Sequence, residues 1–342
     1  MNLSLDTPLD MHLHLREQEM LHLVAPFSAA QFAGGVVMPN LVQPVDTLAR
    51  LRAYRAAIRH ACGAETFTPY MTLFFREYSR EELIAAKDEI IGLKLYPAGI
   101  TTQSEAGVRD FDRIGATVAL LEELDIPLLV HGETSGFVMD REREFLPVYQ
   151  WLAETFPRLR MVMEHITTAE AVEFLEKYDN VAATVTLHHL MITLDDVAGG
   201  LLQPDLFCKP IAKTPRDREA LRRAVFSGHP RLIFGSDSAP HPRHKKECCG
   251  CAAGVFSAPV ALPALVQLFE EAGCLERLQG FVSANALHFY RIAPPAKTVR
   301  LERVPWQVPE QYETVRPFLA SKTIGWRLKN DDKGPVSIET VR

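Results

Sequence analysis

Cysteine is scarce in this chain, with six residues among 342. That is too sparse for a disulfide framework and points to a reducing, cytoplasmic setting. Long apolar runs are missing as well. None approaches the roughly 18 residues that span a bilayer, and "MNLSLDTPLD" lacks the basic and apolar regions of a secretion signal. Basic charge is in deficit, with 37 Lys and Arg against 43 Asp and Glu for a net charge of -6. This excludes the clustered cationic surface that nucleic acid requires. No internal repeat, low-complexity segment or block of like charges interrupts the chain, and no Gly-rich dinucleotide fingerprint follows the first apolar strand. The expected partner is therefore a small molecule, with neither nucleic acid nor membrane.

What is present is a regular alternation of short apolar runs with longer amphipathic stretches. The runs fall at 9–15, 34–40, 67–75, 90–96, 126–133, 160–166, 180–186 and 231–237. Helical patterns lie between several of them. Asp46 is placed to cap "DTLARLRAYRAAIRH", and Thr167 with Glu170 has the spacing of a capping box before "AEAVEFLEKY". Eight strands, each followed by a helix or long loop, predict a (β/α)8 TIM barrel. An open doubly wound sheet is the other architecture such a pattern allows. The barrel is expected over about 1–292. A Pro-rich, charged and non-periodic C-terminal extension, 293–342, packs on it within a single domain.

In such a barrel, chemistry sits at the C-terminal ends of the strands. Metal-type residues fall there repeatedly: His12 and His14 at the first strand, Lys94 at the fourth, His131 at the fifth, His165 at the sixth and Asp237 at the eighth. A single histidine at a strand end is more often a hydrogen-bonded structural residue. A convergent set of unpaired polar groups is costly to bury, and a transition metal such as zinc relieves that cost. In "PLDMHLHLRE" the period of two puts both imidazoles on one strand face, where they can chelate one ion. Lys94 lies in an apolar strand, where an ammonium is expensive. A lysine with a depressed pKa can take up carbon dioxide as an anionic carbamate able to bridge two ions.

The motifs "DMHLHLR", "VVMPN", "GLKLYPAGITTQS", "VHGE", "EHITT" and "GSDSAPHPRHKKE" together resemble the dihydroorotases, specifically the shorter bacterial class of the amidohydrolase superfamily. The resemblance runs from Asp10 to Glu247 and implies two zinc ions. His12, His14 and Asp237 hold one, His131 and His165 the other, and N6-carboxylysine at Lys94 bridges them. It further implies reversible cyclisation of N-carbamoyl-L-aspartate to L-dihydroorotate in pyrimidine biosynthesis, with a metal-activated hydroxide as nucleophile and Asp237 as general acid and base. Arg16, Asn40 and His241 are expected to bind the substrate carboxylate, and Ala253 and the backbone at Lys209 the ring amide. Lys209 departs from the apolar residue expected there. Thr101 and Thr102 are expected on a loop that closes over substrate, and a homodimer is implied.

Other signals are set aside. Cys248, Cys249 and Cys251 in "CCGC" lack a second ligand pair and read as a tight loop. His188 and His189 read as supporting or structural, and "PRHKKE" as a solvated basic turn. Two other functions stay open: a hydantoinase-like or amino-acid amidase activity, which would not need the carboxylate grip, and a barrel that has lost catalysis and serves as a scaffold.

Overall fold

A computed structural model describes residues 2–329 of the chain. Eight parallel strands form one sheet in sequential order: β2 (Leu9–Leu13), β3 (Gly34–Val37), β4 (Thr68–Phe74), β5 (Gly92–Leu95), β6 (Leu128–Val130), β7 (Met161–Met163), β8 (Val181–Val185) and β9 (Leu232–Phe234). Each falls inside one of the apolar runs of the sequence. The circle closes just beyond the last strand. The Leu13–Ser238 bridge joins its two ends, His14 N–H donates to Ser238 O at 3.0 Å, and Asp237 N–H donates to His12 O at 2.7 Å. The result is a (β/α)8 barrel. Gly235 permits that closure, because a Cβ there would lie 2.8 Å from the Cβ of His12 and 3.0 Å from that of Thr184.

Strand register explains where side chains point. Lys94 is level with Leu129, Leu129 with Val162, and Val162 with Ala182. Leu129, Val162 and Ala182 belong to a small apolar cluster inside the barrel, whereas their neighbours Leu128, Val130, Met161 and Met163 pack in the large cluster toward the helices. Two residues further along each strand, the same inward face carries His131, Glu164 and Thr184. An apolar floor thus lies directly beneath a polar mouth.

The first barrel strand departs from simple alternation. Leu9 and Met11 join the inner cluster while Leu13 and Leu15 join the outer one, and the pairing with β3 shifts between Asp10 and Leu13. Both helix caps sit one residue later than the sequence pattern predicts. Thr47, with extended backbone, accepts from Arg50 N–H, while Asp46 forms an ion pair with the Arg50 side chain. Thr168 caps the helix Ala169–Leu175, and Thr167 is drawn instead to Glu142.

A strand that the sequence reading did not anticipate, β1 (Asn2–Asp6), pairs antiparallel with β10 (Thr298–Glu302) from the C-terminal segment. Two short strands, β11 (Trp306–Gln307) and β12 (Thr323–Ile324), pair with each other, and β13 (Arg327–Leu328) adds to β10. The segment described as non-periodic therefore contains strand structure up to Leu328. Its last residues, 330–342, lie outside the described ones. No helix among the described residues is long and apolar enough to cross a membrane.

Candidate metal centre and active site

His12 leaves β2 fully buried, and its Nδ1–H donates to Glu164 Oε2 at 2.6 Å. That bond fixes the tautomer and leaves Nε2 as a lone pair with no hydrogen-bond partner, 3.5 Å from Asp237 Oδ1. His14 Nε2 approaches the same carboxylate oxygen at 3.1 Å. Barrel closure produces this group: His12 and His14 come from the first barrel strand and Asp237 from just beyond the last. The donor atoms of the three lie within 4.8 Å of one another, the requirement for sharing one cation.

Across the mouth, His131 Nε2–H donates to Glu133 Oε2 at 2.8 Å, turning Nδ1 toward His165 Nε2 at 3.1 Å. Two nitrogens on one tetrahedral zinc stand about 3.3 Å apart, so the pair matches a shared cation. The Nδ1 of His165 is also buried without a partner. Alternation alone could not place Glu164 and His165 on the same side of the sheet. A left-handed backbone at His165, φ +42°, breaks the alternation, and Asp237 (φ +43°) and Arg16 (φ +58°) do the same at their strand ends. Backbone of this kind in non-glycine residues concentrates at functional sites.

Lys94 lies between these groups. It is wholly buried, its Nζ has no hydrogen-bond partner and it sits 5.0 Å from the centre of the Tyr96 ring. Burial lowers its pKa to about 8, against the opposing pull of Glu164 and Asp237. At that value roughly a tenth of the amines are neutral at pH 7, far more than for an ordinary lysine, and the neutral form is the one able to take up carbon dioxide. Burial also holds His12, His14 and His165 below the ordinary imidazole range, reinforced by Arg16 at His14 and by His131 at His165. It raises Asp237 above the usual carboxylate range, which His12 partly offsets. At Glu164 the burial penalty is outweighed by His12 and Lys94, and its pKa ends low. Neutral imidazoles with unshared lone pairs beside two carboxylates and an unpaired amine fit transition-metal ions of the zinc class.

His12, His14, His131, His165 and Asp237 line a small cavity above, whereas Lys94, wholly buried, does not reach its wall. Arg16, Asn40, Lys209, Ala253, Thr101 and Thr102 line it as well. Arg16 Nε donates to Pro240 O at 3.1 Å, which fixes the plane of its guanidinium. His241 Nε2 stands 3.0 Å from Arg16 Nη2 and 3.0 Å from the Ala253 carbonyl. It can accept from the first or donate to the second, but one tautomer cannot do both. Asn40 donates to Thr102 O at 2.9 Å and accepts from Tyr96 OH at 3.0 Å. Lys209 Nζ donates to Ile100 O at 2.7 Å. The loop carrying Thr101 and Thr102 is thus tied across the mouth by two side chains of the pocket wall.

Sequence reasoning missed the carboxylates that orient the histidines. Glu133 stands two residues after His131, and Glu164 immediately precedes His165. Asp10 also escaped it; its Oδ1 accepts from Ser236 N–H at 2.8 Å, and burial raises its pKa to about 7. An acid spaced two residues from a strand-end histidine ("DMH", "HGE") is the signal that could have found two of them. The basic turn is not wholly solvated. Lys246 is buried and donates to the carbonyls of Phe207, Ala252 and Gly254. Cys248 and Cys249 are exposed thiols and belong to no cluster of three metal-type donors among the described residues.

A family model described as amidohydrolase matches residues 6–267. The chain is 44% identical to a dihydroorotase of Helicobacter hepaticus over 340 residues, 97% of this chain and 99% of that one. Its fold matches a crystal structure of dihydroorotase from Campylobacter jejuni with a TM-score of 0.92 at 52% identity, covering 96% of this chain and 98% of that chain. It also matches a Saccharomyces cerevisiae dihydroorotase in complex with 5-fluoroorotic acid, with a TM-score of 0.90 at 34% identity over 96% of this chain and 98% of that one.

Proposed function

Because the chain belongs to the amidohydrolase family and, within it, to the dihydroorotases, we propose that its mouth pocket interconverts N-carbamoyl-L-aspartate and L-dihydroorotate with the help of two zinc-class ions. The observation that carries this reading is the convergence on one mouth of His12, His14 and Asp237, whose donor atoms lie within 4.8 Å of one another, with His131 Nδ1 and His165 Nε2 3.1 Å apart across it. His12, His14 and Asp237 would hold one ion, His131 and His165 the other, with N6-carboxylysine at Lys94 between them. Such ions, when bound, lower the pKa of a water and polarise the substrate carbonyl.

The remaining work falls to the chain's own residues. Glu164 and Glu133 keep His12 and His131 in the tautomer that presents a lone pair. Asp237 takes the proton of the attacking water and delivers it to the departing ring nitrogen; in reverse it removes a proton from the carbamoyl nitrogen. Arg16 grips the substrate carboxylate with its planar fork, together with Asn40 and His241. A carboxylate there satisfies Arg16 in place of His241 Nε2, freeing that nitrogen to donate to Ala253 O. The Ala253 and Lys209 backbone positions face the ring amide, and the Thr101–Thr102 loop excludes water from the carbonyl. Ring closure takes up one proton and releases water, so each unit drop in pH favours synthesis about tenfold.

The same reading takes barrel and extension as one domain and includes a homodimer in the cytoplasm, which light scattering on the purified chain tests. The activity is tested by ultraviolet assay of dihydroorotate hydrolysis alongside elemental analysis. Arg16→Met is expected to raise KM about 10- to 100-fold, the loss of a charge-assisted pair. An unchanged KM removes the carboxylate grip and returns the site to a hydantoinase-like substrate. Stoichiometric metal without turnover in either direction revives the scaffold reading.

A further inference from the structure

A second group of buried metal-type side chains lies outside the mouth pocket. His188 and His189 sit on the short helix Leu187–Met191 that follows β8, and Cys208 lies on the loop leading to Lys209. Their fractional exposures are 0%, 2% and 1%, and one donor atom from each lies within 4.8 Å of the other two. We propose that His188, His189 and Cys208 form a closed binding site for one thiophilic divalent cation of the zinc class.

Three observations carry this. The first is spacing: Cys208 Sγ is 3.5 Å from His189 Nε2, and a sulfur and a nitrogen on one tetrahedral zinc stand about 3.5 Å apart. The second is an orphan. Both ring nitrogens of His188 are buried and have no hydrogen-bond partner. A neutral imidazole always has one N–H and one lone pair to satisfy, and buried polar groups left unpaired are rare. The third is orientation. Thr186 Oγ1 is 2.9 Å from His189 Nδ1 and also accepts from His189 N–H at 3.0 Å. In the neutral ring as it stands Nε2–H donates to the Pro210 carbonyl and the Thr186 hydroxyl donates to Nδ1; a cation at this site would take the other tautomer, with Nδ1–H donating to that hydroxyl and the Nε2 lone pair turned to Cys208.

The Pro210 carbonyl completes the group, 3.0 Å from His189 Nε2 and 3.2 Å from Cys208 Sγ. It accepts from both while they are protonated, and it is positioned as a fourth, oxygen donor once they are not. Burial pushes the Cys208 thiol up to about 12, so the sulfur remains a thiol until a cation displaces its proton. Binding therefore forms one metal–sulfur bond and releases one proton from sulfur. No carboxylate belongs to the group, which disfavours magnesium and calcium and favours a borderline-soft ion. With four protein donors such a site is closed and structural, and it would pin the loop whose next residue, Lys209, reaches the mouth. The proposal stands apart from the dihydroorotase reading.

Cobalt substitution tests it. Thiols accessible in the native chain are first blocked with iodoacetamide, which leaves buried Cys208 free, and the metals are exchanged for Co(II). A near-ultraviolet sulfur-to-cobalt charge-transfer band is expected, because the mouth donors are nitrogen and oxygen only. Cys208→Ser should abolish the band and lower the cobalt count by one per chain, and His188→Gln should weaken cobalt binding at this site at least tenfold. No band in the blocked wild-type chain overturns the proposal without relying on the folding of any variant. A band that survives Cys208→Ser overturns it as well. Loss of turnover with the band intact would instead strike the dihydroorotase reading.

Discussion

Two groups of buried histidines occupy the same end of the barrel, and they differ in what holds them. At the mouth, His12 and His131 each donate to a carboxylate, Asp237 and Lys94 add charge, and the donors open onto a cavity. Beside it, His189 hydrogen-bonds only to neutral groups, the Thr186 hydroxyl, the Cys208 thiol and the Pro210 carbonyl, His188 has no hydrogen-bond partner, and both are sealed from solvent. A carboxylate behind an imidazole raises its basicity and fixes its tautomer. An open coordination position admits water and substrate, whereas a site filled by protein donors does not. On the two proposals above, the same residue type would support reactive chemistry in one place and structural binding in the other, according to its partners and its access to solvent.

The contrast is most exposed at Lys94. Lys94→Met keeps the length of the side chain and removes the amine. It is expected to lower kcat/KM about 1000-fold or more, since two-ion catalysis contributes several kcal/mol. Mouth metal should fall as measured by elemental analysis. The midpoint of thermal unfolding in chelator should stay level or rise, because an unpaired buried amine is lost. Activity within tenfold of wild type would erase the distinction between the two groups. Next in size is Asp237→Asn, which keeps the shape and removes the proton acceptor. A fall in kcat of about 10²- to 10⁴-fold is expected, read from the initial rate of absorbance change in both directions.

Glu164→Gln tests the carboxylate's role behind the histidine. Metal affinity or activity should drop about 10- to 100-fold, measured by competition with a chromogenic chelator. Equal loss from Thr186→Val at the neutral group would show that charge is not what separates the two. The smallest effect belongs to a charge outside both. Arg52 and Arg55 hold the Glu89 carboxyl at about 2, below its ordinary value of 4.5. The lowered value means that the pair's stabilisation is present above about pH 4.5 and disappears as pH falls toward 2. Glu89→Gln should shift the urea midpoint slightly at pH 7, less so in high salt, and not measurably near pH 2.

Much of the barrel was legible because its strands carry local periods. "IPLLVHGE" and "RMVMEHI" announce both a strand and the polar residue that ends it. The strand Asn2–Asp6 was missed although "NLSLD" and "TVRLE" both alternate with period two, because each is only five residues long and its partner lies at the other end of the chain. Glu133 and Glu164 escaped because an acid near a strand end looks like the start of a helix until its partner is seen. His188 and His189 looked incidental because Cys208 is about a score of residues away, on another element.

The sequence alone determined the eight-strand rhythm and the donor types at strand ends, since alternation and side-chain chemistry are properties of neighbouring residues. Only the tertiary structure decided which donors meet. The junction of Leu13 with Ser238 sets Asp237 against His12 and His14, the left-handed backbone at His165 turns it into the mouth, and Glu164 selects the tautomer of His12. Each of these depends on closure of the barrel between residues more than a hundred positions apart or on a backbone conformation that local pattern disfavours, and no local period encodes either.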